Sequence, residues 1–206
     1  MKILISLASV LVSALFSIAN AAPKIAPTSA LSAVQVVTIH ARADHGKTEF
    51  HAVGRPSLIK VNGEGKGPEG ALQVEGVKVA GDLTLDLTSL TTGISMRDSH
   101  LKDKYLETGK YPQATLHLTD VSLPPEWTLG TGTKDRAFKG DLTLHGQTKP
   151  VNGTFDVGGT ADSMTAVARF TIDISQFGIE IPKYLGITVR NEVPIELTMN
   201  DLKATK

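Results

Sequence analysis

Leu83-Thr84-Leu85-Asp86-Leu87 places three leucines on one side of an extended chain and Thr and Asp on the other. A period of two is that of a β-strand with one buried and one wet face. Leu116-His117-Leu118-Thr119, Leu142-Thr143-Leu144-His145 and Ile195-Glu196-Leu197-Thr198-Met199 follow the same rule. Turn-forming residues punctuate them at Asn62-Gly63, Gly109, Pro124-Pro125, Gly130 to Gly132, Gly146, Gly158-Gly159 and Gly178. The spacing predicts an all-β chain of about eight to ten antiparallel strands, closed as a barrel or packed as a sandwich. No linker or shift in composition divides the strands, so residues 22–206 read as one domain, with loops expected near 62–70 and 122–135.

Outward from these strands, the N-terminal side suggests a hairpin. A two-residue turn at His45-Gly46 would pair Asp44 with Lys47, Arg42 with Glu49 and His40 with His51. The opposite face would then carry Ile39, Ala41, Ala43, Thr48, Phe50 and Ala52, so charge pairing and apolar pattern agree on one register. One stretch breaks the alternation. In MRDSHLKDKYLETG, residues 96–109, Asp98 or Ser99 suits a helix start, Leu101 and Tyr105 share a face, and Gly109 supplies a stop. A short amphipathic helix near 98–108 is expected, covering one end of the strands.

The chain has 206 residues, 21 basic against 21 acidic side chains and no cysteine. Balanced charge removes the electrostatic footprint of a nucleic-acid binder. The lack of cysteine excludes disulfides, Cys-ligated zinc, iron–sulfur clusters and a thiol nucleophile. Residues 1–21 combine Lys2, an apolar run from Ile3 to Ile18 and Ala19-Asn20-Ala21, the pattern of a secretory leader cleaved after Ala21. No stop-transfer flank follows, so no stable membrane anchor is expected.

Motifs of catalytic type fit poorly. Gly65-Lys66-Gly67-Pro68-Glu69-Gly70 matches a dinucleotide fingerprint in letters, but it leads into the strand-like Leu72-Gln73-Val74-Glu75 rather than a helix. Ala41 to Thr48 resembles a phosphate loop only if Ala replaces its first glycine. Ser95 lacks the second glycine of a nucleophile elbow. The six histidines form no metal-binding spacing, and the expected His40/His51 pair reads as two polar side chains side by side on the surface. No catalytic residue, metal site or required cofactor is therefore expected.

Met96-Arg97-Asp98-Ser99-His100-Leu101, continuing to Gly109-Lys110-Tyr111-Pro112, resembles the "RD-x-HL … YP" signature of the YceI-like proteins. Gly140-Asp141-Leu142-Thr143-Leu144-His145-Gly146-Gln147-Thr148-Lys149-Pro150-Val151 is similar to their "G-x-LT-x-x-G-x-T-x-x-V" element, and Phe177-Gly178-Ile179 to an "FG" near their last hairpin. The resemblance implies an antiparallel, lipocalin-like β-barrel of about eight strands, a size at which side chains either fill the interior or leave room for one ligand. It also implies a periplasmic binder of a long isoprenoid chain, quinone-type or polyprenyl, in some members linked to stress responses.

On that basis Leu83, Leu85, Leu87, Leu116, Leu118, Leu142, Leu144, Phe155, Phe170, Ile172, Ile195 and Leu197 are candidates for the ligand-facing interior. Met96, Arg97, Asp98, His100, Leu101, Tyr105 and Tyr111 are candidates for a mouth or lid. The expected partner is a hydrophobic small molecule, and a homodimer is compatible with the sequence. Two other readings are an exported hydrolase or isomerase with a His base such as His100, and a solid barrel whose loops bind a protein or serve a stress response.

Overall fold

The computed structural model describes residues 36–55, 59–184 and 187–205. The leader expected over residues 1–21 lies outside the described residues. The strands are β1 (Val36–Ala41), β2 (Gly46–Arg55), β3 (Lys60–Lys66), β4 (Glu69–Glu75), β5 (Lys78–Asp86), β6 (Gln113–Val121), β7 (Thr133–Leu144), β8 (Gln147–Thr160), β9 (Ser163–Asp173), β10 (Lys183–Tyr184), β11 (Ile187–Val189) and β12 (Glu192–Thr205). From β4 to β9 each strand pairs antiparallel with the next, β9 pairs with β12, and β12 returns to both β1 and β2. The sheet thereby closes on itself, which leaves no long unpaired edge within the barrel.

Two of the eight barrel strands are broken in the middle. β12 pairs His40 with Lys203 and Gly46 with Met199, so six steps on one side face four on the other. The two extra residues are taken up by a single 3-10 turn, Ala43–His45, which bends β1 into β2. β3 and β4 form the matching broken partner, with β2 pairing β3 and β1 pairing β4. The hairpin expected at His45-Gly46 is therefore not formed. β1 and β2 are collinear, both bound to β12, and His40 and His51 are separated, with His51 Nδ1 3.0 Å from Asn62 Oδ1. The apolar face was right and the partner wrong, because inward Ile39, Ala41, Thr48 and Ala52 alternate alike in a hairpin and in one bent strand.

The glycine-rich stretch expected as a loop near 62–70 is strand except at Gly67-Pro68, the break between β3 and β4. Its glycines permit close approach: a Cβ on Gly63 would meet the Phe50 ring at 2.2 Å, and one on Gly67 the Gly46 backbone at 2.4 Å. Of the loop expected near 122–135, residues 133–135 already belong to β7, and 122–132 do connect β6 to β7 but are tied down. Leu123 is buried, Ser122 bridges to Lys78, and the Trp127 indole Nε1 donates to the Thr131 carbonyl at 2.8 Å.

The helix runs from Ser95 to Tyr105, α1 (Ser95–Ser99) continuing into a wider turn over His100–Tyr105, about three residues earlier than 98–108. Asp98 is not its cap. Its carboxylate reaches back to accept from Thr91 Oγ1 at 2.6 Å and from the Thr92 backbone N–H at 2.7 Å, drawing the incoming loop against the helix. The Arg97 guanidinium adds to this tie, donating to Thr92 Oγ1 and Thr92 O at 2.8 and 3.0 Å. The helix ends at Leu106, whose N–H bonds Leu101 O, followed by Glu107 at φ 46°, not at Gly109. Leu106 is buried and Leu101 and Tyr105 pack against the core, so this segment seals the barrel end where β5 stops and β6 begins.

Candidate functional site

The alternation that builds the strands also lines the interior. Every candidate interior residue is buried except Ile195, which is half-buried against the core. They do not all face one space. Leu83, Leu116, Leu118 and Phe155 line an internal cavity of ≈ 90 Å³, whereas Leu85, Leu87, Leu142, Leu144, Phe170, Ile172, Ile195 and Leu197 are absent from its wall and belong to the filled core. Every residue around the cavity is apolar, including Val74, Leu123, Trp127, Met164, Met199 and Leu202. These lie where β4, β6 and β12 end and where β7 begins, so the cavity occupies the barrel half remote from the helix.

None of the candidate mouth residues touches it. Met96 is 73% exposed on the helix, next to Ile94 at 53%. Asp98 lies instead on a shallow polar hollow with Thr91, Gly93, Ser95, Lys102 and Asp103. The hydroxyls of Thr91 and Thr92, with the Thr92 N–H, hold the Asp98 carboxyl down to about 2. That carboxylate is engaged in holding the loop and has no proton to exchange near neutral pH. His100 is exposed and lines neither hollow nor cavity, and no acid or nucleophile is brought against it among the described residues. The described residues likewise hold no group of three or more His, Cys, Asp or Glu arranged for a metal ion.

The sequence signature blocks meet one another rather than the cavity. His145 sits at the β7–β8 turn with φ 51°. Its Nδ1 donates to the Phe177 carbonyl at 3.1 Å and its Nε2 lies 2.5 Å from Glu107 Oε2. Its ring stands 4.7 Å from that of Tyr111. The helix block, the β7–β8 block and the Phe177-Gly178 block are thus joined at one half-buried imidazole, which makes them the seal of one barrel end.

Sequence reasoning missed the cavity's other half. Trp127 and Leu123 come from a segment read as loop, and Val74 and Val79 from either side of the β4–β5 turn, outside the leucine repeats. Met164, Ala166 and Ala168 in β9 alternate with Thr165, Val167 and Arg169, a signal that the apolar Val167 makes weaker than the leucine repeats. Arg136 was also missed. It stands beside Phe155 across the β7–β8 ladder, and its Nε is buried with no hydrogen-bond partner among the described residues.

Residues 38–200 match the YceI-like domain family. A UPF0312 protein of Pseudomonas syringae pv. syringae is 33% identical over 122 residues, 56% of this chain and 60% of that protein. Protein YceI of Escherichia coli O17:K52:H18 is 41% identical over 71 residues, 34% of this chain and 33% of its own. The chain thus spans less than two thirds of the length of these curated relatives. Among solved structures, a polyisoprenoid binding domain from Saccharophagus degradans implicated in plant cell wall breakdown superposes with TM-score 0.64 at 17% identity, over 81% of this chain and 98% of that one. Burkholderia cenocepacia BcnA gives 0.59 at 18% identity, over 78% and 98%. At such identities the likeness is one of fold. Family match, closed barrel and joined signature blocks agree, and the chain belongs to the YceI-like domain family.

Proposed function

We propose that this protein is an exported carrier of a long-chain isoprenoid lipid, held in the barrel interior without catalysis. The observation that carries the reading is the wholly apolar cavity inside a closed barrel. A greasy chain needs no charged contact there, because burial contributes roughly 0.8 kcal/mol per CH2, well over 10 kcal/mol gross for some twenty carbons. The polyisoprenoid-binding activity named for the Saccharophagus degradans domain supports the same ligand class. Export rests on the leader pattern of residues 1–21 and is tested by the mass of protein recovered from the periplasm, which should begin at Ala22.

Size sets a condition on this reading. At ≈ 90 Å³ the cavity is smaller than the roughly 150 Å³ void that accepts one benzene. A chain of many carbons therefore enters only with displacement of neighbouring groups. The flexible thioethers of Met164 and Met199 and the Trp127 segment are the wall elements that can give way. The same small volume favours the second reading, a filled barrel that binds a protein through its loops. Organic extraction of protein purified from its own host, followed by mass spectrometry, separates the two. A prenyl chain in stoichiometric amount supports the carrier, and empty protein that also takes up no added prenol supports the filled barrel.

A further inference from the structure

The cavity wall is not equally strong all the way round. β1 and the last part of β12 meet over three residue pairs, Thr38 with Thr205, Ile39 with Ala204 and His40 with Lys203. On its other side the same part of β12 reaches β9 through one pair, Leu202 with Met164, because the register shifts between Met199 and Leu202. The neighbouring strands are bound more continuously, six pairs joining β1 to β4 and eight joining β8 to β9. Residues 200–205 thus form an arm held by short ladders on both edges, and a segment with few cross-strand bonds opens at less cost than the centre of a sheet. Ile39, Met199 and Leu202 line the cavity from the two sides of this seam.

The arm also has a hinge and a fastener. Asp201 stands at φ 50°, at the bulge where regular pairing with β9 ends. Its carboxylate lies 3.3 Å from His45 Nδ1 and accepts a hydrogen bond from Ser163. It therefore ties the arm to the bend between β1 and β2 on one side and to the start of β9 on the other. The side-chain ties across the seam itself are long, with Thr205 Oγ1 3.4 Å from the Thr38 carbonyl and 3.3 Å from His40 Nε2. A cavity of ≈ 90 Å³ takes no prenyl chain unless its wall moves, and the wall is thinly bonded along this arm. We infer that residues 200–205 are a lateral gate, which swings about Asp201, parts from β1 and admits the ligand chain through the side of the barrel.

This inference rests on the lipid-carrier reading and adds the route by which the chain enters. The protein has no cysteine, so an engineered cross-link forms without competition. His40 and Lys203 are directly paired and exposed, and such partners lie within the span of a disulfide. Uptake of geranylgeraniol is followed by the fluorescence of Trp127, the single tryptophan and a residue of the cavity wall. In His40→Cys with Lys203→Cys, oxidation should slow uptake about tenfold or more, and reduction should restore the wild-type rate. The same bridge across Lys139 and Asn152, paired within β7–β8, should leave the rate unchanged. Asp201→Asn, which tolerates the positive φ but removes the fastener's charge, should speed uptake and hasten hydrogen exchange at residues 200–205 relative to β8. Unslowed uptake through the oxidised seam, equal slowing by the β7–β8 bridge, or arm amides that exchange as slowly as those of β8 would each overturn the gate alone. If wild-type protein takes up no prenol, the carrier reading fails and the gate with it.

Discussion

Thr48 faces the barrel interior from β2, paired with Leu197 of β12, and its hydroxyl is buried with no partner among the described residues. An orphaned hydroxyl costs free energy that an isosteric methyl does not. Thr48→Val should accordingly stabilise the empty protein by about 1 kcal/mol, a rise in melting temperature of about 2–4 °C. An equal or lower melting temperature would mean the hydroxyl has a partner in solution. Leu197 beside it is fully buried, so Leu197→Ala should cost about 2–5 kcal/mol, read as a lowered denaturant midpoint. Arg136 behaves differently from both. Arg136→Met removes an unpartnered donor and should leave the empty barrel as stable as wild type or more so, whereas an arginine serving structure alone would lower the melting temperature when lost. Residues of this kind were invisible in the sequence. Thr48 lies among residues of either character, and nothing in Lys134-Asp135-Arg136 announces a bulge that turns a cation inward.

At the scale of elements, the helix over residues 95–105 is tied to its incoming loop by the Asp98 carboxylate together with the Arg97 guanidinium. The Asp98 carboxyl sits at about 2 against an ordinary 3.8, lowered by the hydroxyls of Thr91 and Thr92 and the Thr92 N–H. Since the folded value is depressed, the contribution is present above pH 3.8 and is lost as pH falls toward 2. Asp98→Asn should therefore melt below wild type at neutral pH, with the gap closing on acidification between those values. A gap that persists unchanged at pH 2 would show that the carboxylate's charge is not what binds the loop. The amphipathic pattern of this helix was legible, from Leu101 and Tyr105, but its start was not, because Asp98 caps a loop through space rather than its own first turn. Likewise the glycines of 62–70 read as turns. In the fold Gly63 is a strand position crowded by the Phe50 ring and Gly67 the break between β3 and β4 crowded by Gly46, a long-range cause that local spacing does not carry.

At the scale of the whole molecule, leucine alternation was enough to give an antiparallel all-β chain and to place most of its core, since the face a strand buries follows from period alone, whereas the choice of barrel over sandwich came from the family resemblance. Which half of that core is solid did not follow. The signature blocks that carry the family resemblance converge on His145 and Glu107 and close one end. The apolar cavity lies toward the other, under Trp127 and residues 122–132. The end with the recognisable motif is thus the sealed one, and the end with the less regular sequence is the one a ligand would enter.

The chain's methionines offer a direct test of where that ligand rests. Met164 and Met199 line the cavity, while Met96 stands exposed on the helix at the sealed end. With carbon-13 in the methionine methyl groups, titration with geranylgeraniol should shift the Met164 and Met199 resonances and give contacts between those methyls and the prenyl chain, leaving Met96 in place. Shifts confined to Met96, or a bound lipid that moves neither cavity methionine, would contradict a carrier that shelters its cargo inside the barrel.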